Sequence, residues 1–116
     1  MENTESDIST NDAKVPVLSV LYGPDAGRHF PLEKSLITLG RGEDRDIQFQ
    51  DRAMSRMHCD ILQEKGVLII RDTGSQNGIK VNGRLTMEHR LSDGDQIDIG
   101  STRLVIRIPQ KERNNP

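Results

Sequence analysis

Short runs of apolar residues, each closed by a glycine, a proline or a polar cluster, form the main pattern along this chain. β-Branched and aliphatic residues dominate these runs, and their apolar positions do not recur with the 3.6-residue period of an amphipathic helix. The pattern therefore predicts β-strands rather than helices. The predicted strands cover residues 17–22, 36–39, 59–62, 67–70, 96–99 and 104–108.

Three dipeptides mark tight turns between these strands. Asn77-Gly78, Asn82-Gly83 and Asp93-Gly94 are pairs favoured where the backbone needs a positive φ. Strands bounded by such turns at intervals of roughly 8–12 residues are typical of a sandwich or a barrel. We therefore predict an all-β domain.

The two ends of the chain have a different composition. Residues 1–14 contain only two apolar residues beyond the initiator Met, Ile8 and Ala13, so they cannot bury a core. The polar residues after Pro109 have the same character. We predict one domain at residues 15–109, between a disordered acidic tail at 1–14 and a short disordered tail at 110–116.

Composition and charge exclude several classes of protein. A net charge of −2 and a pI near 5.9 disfavour a nucleic-acid binder, which would neutralise phosphates with many cations. The longest apolar run, Val67 to Ile70, is too short to span a membrane. A single cysteine, Cys59, cannot form an internal disulfide. We predict a reducing, cytoplasmic location and no nucleic-acid or membrane partner.

Four clusters of residues stand in a distinctive order, and a Val-Asn-Gly at 81–83 lies between the third and the fourth. The clusters are Leu-Gly-Arg-Gly at 39–42, Met-Ser-Arg-Met-His at 54–58, Gly-Ser-Gln-Asn-Gly at 74–78 and Asp-Gly-Asp-Gln-Ile-Asp-Ile-Gly at 93–100. In order and spacing this set resembles the forkhead-associated (FHA) domain family, over roughly residues 17–108. The resemblance implies a β-sandwich of two twisted sheets whose apical loops bind phosphothreonine peptides.

The resemblance also implies which residues bind the phosphopeptide. They are Arg41, Ser55, Arg56, Gln76, Asn77 and Asn82. The chemistry agrees for the first three, because two guanidinium groups and a hydroxyl from separate loops would form charge-assisted bonds to a phosphate. Many family members carry Thr, which can contact the peptide, where this chain has Gln76.

Three polar residues in these motifs have more than one interpretation. Asn77 is a turn residue, and by the resemblance its amide also bridges the peptide backbone. Asn82 begins an Asn-Gly hairpin and is a turn residue first. The spacing of Ser55 and His58 could indicate a nucleophile and its base, but no third orienting group stands at a recognisable spacing. The resemblance implies instead that His58 hydrogen-bonds loop backbone and buttresses the site.

No motif indicates an enzyme, a metal or a cofactor. Gly40-x-Gly42 lacks the third glycine of a dinucleotide loop, since Arg45 stands there. Asp93-x-Asp95 begins like a calcium loop, but Ile97 and Asp98 occupy the third ligand and glycine positions. His29, His58 and His89 are dispersed along the chain, which does not indicate a metal site. We predict a non-catalytic protein without a cofactor.

The sequence thus predicts a phosphothreonine-dependent adaptor whose partner is a protein phosphorylated by a Ser/Thr kinase. The alternative is a phosphate-independent structural interaction domain of the same fold. One further hypothesis concerns Thr4, which is followed three residues later by Asp7 in the acidic tail. One interpretation is an acidic tail that only aids solubility; the other is that phosphorylated Thr4 binds the loops of a second chain, head to tail. Self-closure would need a nearly taut tail, because the 13 residues to Val17 span at most about 43 Å.

Overall fold

The computed structural model describes residues 15–110. Apart from Gln110, the two predicted tails lie outside the described residues, and so does Thr4. The strands are β1 (Val17–Tyr22), β2 (His29–Pro31), β3 (Leu36–Gly40), β4 (Ile47–Gln48), β5 (Cys59–Glu64), β6 (Val67–Asp72), β7 (Ile79–Val81), β8 (Arg84–Thr86), β9 (Glu88–Arg90), β10 (Gln96–Ile99) and β11 (Thr102–Arg107). Residues 15–110 contain no helix long and apolar enough to cross a membrane.

The strands form two sheets. The first has six strands in the order β2-β1-β11-β10-β7-β8, and the second has five in the order β4-β3-β5-β6-β9. Neighbouring strands are antiparallel, except that β3 and β4 run parallel. The predicted all-β sandwich of two sheets is confirmed.

Aliphatic side chains fill the space between the sheets. In the six-stranded sheet Leu104 of β11 is fully buried and stands opposite both Val20 of β1 and Ile97 of β10. In the five-stranded sheet Ile61 of β5 stands opposite Ile37 and Ile70, and all three are buried. Each such side chain stabilises the fold by about 1.5–3 kcal/mol on burial. The alternation of the sequence pattern therefore places the core between the two sheets.

The six predicted strands are all present, with ends shifted by no more than two residues. Strands β2, β4, β7, β8 and β9, of two or three residues each, were not predicted. A strand this short shows no clear two-residue alternation, so its pairing is decided by neighbours distant in the sequence.

Two hairpins close with positive φ at both turn residues. Asn82 and Gly83 have φ of 52° and 85° between β7 and β8, as the dipeptide predicts. Lys65 and Gly66 have φ of 52° and 83° between β5 and β6. Such turns match the twist of the paired strands and set their register.

Three loops meet at one end of the sandwich, where hydrogen bonds join them. They connect β3 to β4 (residues 41–46), β4 to β5 (49–58) and β6 to β7 (73–78). The backbone N–H of Arg41 donates to the carbonyl of Ser55, and that of Thr73 donates to the carbonyl of His58. The predicted Gly-Arg, Ser-Arg and Gln-Asn motifs are thereby brought together.

Candidate functional site

Arg41 is tied to the β4–β5 loop by hydrogen bonds from both its backbone and its side chain. Its N–H bonds the Ser55 carbonyl at 3.0 Å, and its guanidinium Nε donates to the carbonyl of Met54 at 3.1 Å. Within residues 15–110 the two terminal guanidinium nitrogens of this exposed side chain have no hydrogen-bond partner. Arg41 therefore presents fixed, unused donors to solvent.

Gly40 allows the first two loops to approach this closely. A Cβ at Gly40 would lie 2.1 Å from the carbonyl oxygen of Arg56, a distance that no side chain tolerates. The neighbouring N–H of Gly42 donates to the same carbonyl at 3.0 Å. Position 40 must therefore be glycine for the two loops to pack, and the next residue, Arg41, supplies the side chain predicted to bind phosphate.

His58 is fully buried beneath the loops and bonds two of them. Its Nδ1 accepts the backbone N–H of Ser55 at 3.0 Å. The remaining ring proton therefore lies on Nε2, which donates to the carbonyl of Gly78 at 2.7 Å. The implied buttress role of His58 is confirmed by this geometry, and its ring is not accessible to a ligand.

The hydroxyl of Ser55 is oriented by the loop that follows β6. The backbone N–H of Gln76 donates to Ser55 Oγ at 2.9 Å. Among residues 15–110 this hydroxyl donates no hydrogen bond, so its proton is available for an acceptor outside the protein. Gln76 thus acts through its backbone, while its own side chain is exposed.

Asp72 organises the loop that carries Gln76 and Asn77, a role that the motifs did not reveal. Its carboxylate accepts the N–H of Gly74 at 2.8 Å and the N–H and hydroxyl of Ser75 at 2.7 and 2.8 Å. Burial alone raises the pKa of Asp72, but these hydrogen bonds outweigh it and hold the pKa below its usual value. The only sequence signal was a turn-forming Asp-Thr-Gly at 72–74.

The hydroxyl of Ser75 continues this network and leaves Asn77 exposed. Ser75 Oγ accepts the N–H of Gly78 at 2.8 Å, so both ends of the short turn are tied down. Gly78 takes the positive φ of 81°, whereas Asn77 does not have a positive φ. Among residues 15–110 the exposed amide of Asn77 makes no hydrogen bond, so it is available for recognition.

Ser55 and Arg56 line an open cleft of about 570 Å³ at this end of the sandwich. Thr73 and Gly74 from the loop after β6 also line it, and so do Glu43 and Asp44 from the loop after β3. Arg45 lowers the pKa of Asp44 through a hydrogen bond and its charge, and Arg56 adds to the effect. Among residues 15–110 no carboxylate lies within ion-pair distance of Arg56. The cleft thus combines an unpaired guanidinium with a hydroxyl donor.

Asn82 lies apart from the other predicted site residues. It stands at the far end of β7 from Asn77, roughly 16 Å away along an extended strand. Its amide nitrogen donates to Asp95 Oδ1 at 2.9 Å, and its amide oxygen accepts the N–H of Gln96 at 2.9 Å. The side chain thus ties the β7–β8 turn to the start of β10, and its expected peptide contact stays a prediction.

The model of one protein family matches this chain at residues 37–100, more than half of its length. That family is the FHA domain. The chain belongs to the FHA family. The matched range begins in β3 and ends just beyond β10, and it includes all three loops that meet at the site.

Two individual proteins are similar to this chain over most of its length. The oxoglutarate dehydrogenase inhibitor of Corynebacterium diphtheriae is 38% identical over 96 residues, covering 83% of this chain and 67% of the relative. The glycogen accumulation regulator GarA of Mycobacterium tuberculosis is 35% identical over 112 residues, covering 94% and 69%. Both relatives are named as regulators or inhibitors.

A solved FHA structure, from work on phosphothreonine-dependent FHA domain interactions, superposes with a TM-score of 0.76 at 29% identity. The match covers 83% of this chain and 98% of that one. FHA domains bind phosphothreonine peptides, and this FHA chain is a phosphothreonine-dependent binding module. The predicted family and class of function are confirmed.

Proposed function

We propose that Arg41, Ser55, Arg56 and Asn77 form the phosphothreonine-peptide site of this chain, with Gln76 at its edge. The observation that carries this proposal is the Ser55 hydroxyl, which is oriented by the Gln76 N–H and, among residues 15–110, donates to no acceptor, so that its proton can bond an incoming one. A phosphothreonine offers such acceptors, since it carries three oxygens and a charge of about −1.5 to −2 at neutral pH.

The three donors would divide the phosphate between them. The terminal nitrogens of Arg41 supply a planar pair of N–H groups, because Nε is already fixed by Met54. Ser55 donates its hydroxyl, and Arg56 supplies a second cation from the same loop. Charge-assisted bonds of this kind are about twice as strong as neutral ones.

Asn77 and Gln76 would contact the peptide beside the phosphothreonine. The exposed amide of Asn77 has a donor and an acceptor, as bonding to an extended peptide backbone requires. The side chain of Gln76 lies next to it and would influence which flanking residues are accepted. Asn82 is left out of the proposed set because its amide is engaged by Asp95 and Gln96.

The protein would act by binding rather than by catalysis. His58 is buried with both ring nitrogens engaged, so it cannot serve Ser55 as a general base for a bound substrate. We place the binding unit at residues 15–109 and its partner among proteins phosphorylated by a Ser/Thr kinase. The pI near 5.9 and the single Cys59 support a cytoplasmic setting without nucleic-acid or membrane binding.

Thr4 is proposed as one ligand of this site when phosphorylated. Its reach supports association between two chains better than self-closure, because at most about 43 Å of extended chain separates Thr4 from Val17. Synthesis of the chain with phosphate at Thr4, followed by sedimentation across concentration, tests this. A concentration-dependent dimer that Arg41→Ala dissolves is expected. A monomer that binds added phosphopeptide at full affinity would refute it.

The central experiment titrates the chain with a phosphothreonine peptide selected from an oriented library. Arg41→Ala should weaken binding by at least about 30-fold, the equivalent of losing a charge-assisted contact. Arg84→Ala, which removes an exposed arginine from β8, should leave binding unchanged. Dephosphorylation of the peptide should abolish binding. Equal affinity for both peptide forms would instead establish the phosphate-independent interaction domain.

A further inference from the structure

A second cleft, of about 790 Å³, begins at Asn77 and runs over the outer face of the six-stranded sheet. Lys80, Asp98, Arg103 and Tyr22 lie along it in one row across four adjacent strands, β7, β10, β11 and β1. Since neighbouring strands lie about 4.8 Å apart, the row spans roughly 14 Å. The cleft therefore continues directly from the proposed phosphopeptide site.

An irregularity in β1 forms the apolar end of this cleft. The pairing of β1 with β11 shifts between Val20 and Tyr22, so Leu21 is an extra residue and the alternation of the strand is broken. As a result two consecutive large side chains, Leu21 and Tyr22, are 51% and 70% exposed. Bulges re-aim side chains in this way, and this one directs Tyr22 to the outer face.

The charges in the cleft are not balanced. Arg103 Nε bonds Asp98 Oδ1 at 2.9 Å, which pairs the acid with one of the two cations in the row. Among residues 15–110 no carboxylate lies within ion-pair distance of Lys80. Lys80 is exposed and lies between Asn77 and the apolar end, so the cleft carries a free positive charge along its path.

We infer that this cleft binds the segment of the phosphorylated partner that flanks the phosphothreonine, and that it selects an apolar side chain at Leu21 and Tyr22. The inference rests on the proposed function. Tyr22 lies about 10 Å from Asn77 in the direction of β7 and about 14 Å from it across the sheet, so the straight line between them is roughly 17 Å. An extended peptide covers this in about five or six residues. An acidic residue between the two anchors would pair with Lys80.

The test compares phosphopeptides of two lengths. A short peptide carries the phosphothreonine and its immediate neighbours. Longer peptides extend it by eight residues on either the amino or the carboxyl side. Counted from the phosphothreonine, the fifth and sixth residues are both Leu or both Ser, and a Glu stands between the phosphothreonine and these two residues. The long Leu peptide of one side should bind the chain about tenfold more tightly than the short peptide.

Single-residue variants test which side chains of the cleft give the long Leu peptide its tighter binding. Tyr22→Ser should abolish the advantage of the Leu peptide, and Lys80→Glu should reduce it, with short-peptide affinity unchanged in both. Leu36→Ser removes a side chain that is 42% exposed on the opposite sheet, and it should change nothing. A gain that persists in Tyr22→Ser, or equal affinity for short and long peptides on both sides, would overturn the inference.

Two other outcomes would be distinguishable. A wild-type chain that fails to bind any phosphorylated peptide would overturn the proposed function, and this inference with it. Sedimentation at the assay concentrations would detect a dimer, and a dimer dissolved by Tyr22→Ser would assign the cleft to a second copy of the chain and refute a peptide extension.

Discussion

Replacement of His58 by Ala should weaken phosphopeptide binding through the stability of the loops. The imidazole is fully buried and bonds the N–H of Ser55 and the carbonyl of Gly78. The variant loses both hydrogen bonds, which leaves the Ser55 N–H and the Gly78 carbonyl without a partner and away from water. At about 1–3 kcal/mol for each of the two groups, the loss of folding free energy is about 2–6 kcal/mol, and we take about 3 kcal/mol, near the lower end, as the working value. For a domain of this size that lowers Tm by roughly 12–24 °C.

Thermal unfolding and phosphopeptide titration on the same preparations would test this. His29→Ala is a matched control, because His29 is exposed and bonds only the hydroxyl of Ser19 among the described residues. It should unfold within a few degrees of the wild type. An His58→Ala variant with wild-type Tm that no longer bound phosphopeptide would refute the reasoning, since His58 would then be a ligand of the phosphate rather than a buttress.

Three further changes have defined outcomes. Gly40→Ala should destabilise the fold by at least about 2–3 kcal/mol in thermal unfolding, because its Cβ meets the Arg56 carbonyl at 2.1 Å. The pKa of Asp72 is lowered, so its contribution to stability is complete above its unfolded value of about 3.9 and is lost as pH falls through the folded value; Asp72→Asn should flatten the decline of Tm between pH 5 and 3. Burial raises the pKa of the Cys59 thiol, so a thiol reagent should label it only on unfolding, and rapid labelling of the folded chain would contradict this.

The class of fold follows from the residue pattern alone. Alternating apolar runs closed by Gly-containing turns require strands with one buried face, and two such sheets must cover each other. The strands β1, β3, β5, β6, β10 and β11 follow directly, since each contains enough residues for the alternation to be visible. The positive φ of Asn82 and Gly83 was also predictable, because few residue pairs tolerate it.

The order and spacing of the motifs pointed to Arg41, Ser55 and Asn77, but only the tertiary structure decided how they are held. Ser55 is oriented by the backbone of Gln76, and its loop is supported by the buried ring of His58. These partners come from different loops, and hydrogen bonds between distant segments leave no local periodicity in the sequence.

Asn77 and Asn82 illustrate the same limit. Both stand in Asn-Gly pairs, yet within residues 15–110 the amide of Asn77 has no partner, whereas the amide of Asn82 bonds Asp95 and Gln96 at the other end of β7. Likewise, Tyr22 continues the apolar run of β1 and faces solvent only because a bulge shifts the register against β11. A bulge is set by the pairing of two strands far apart in the chain, so the residue order of one strand does not reveal it.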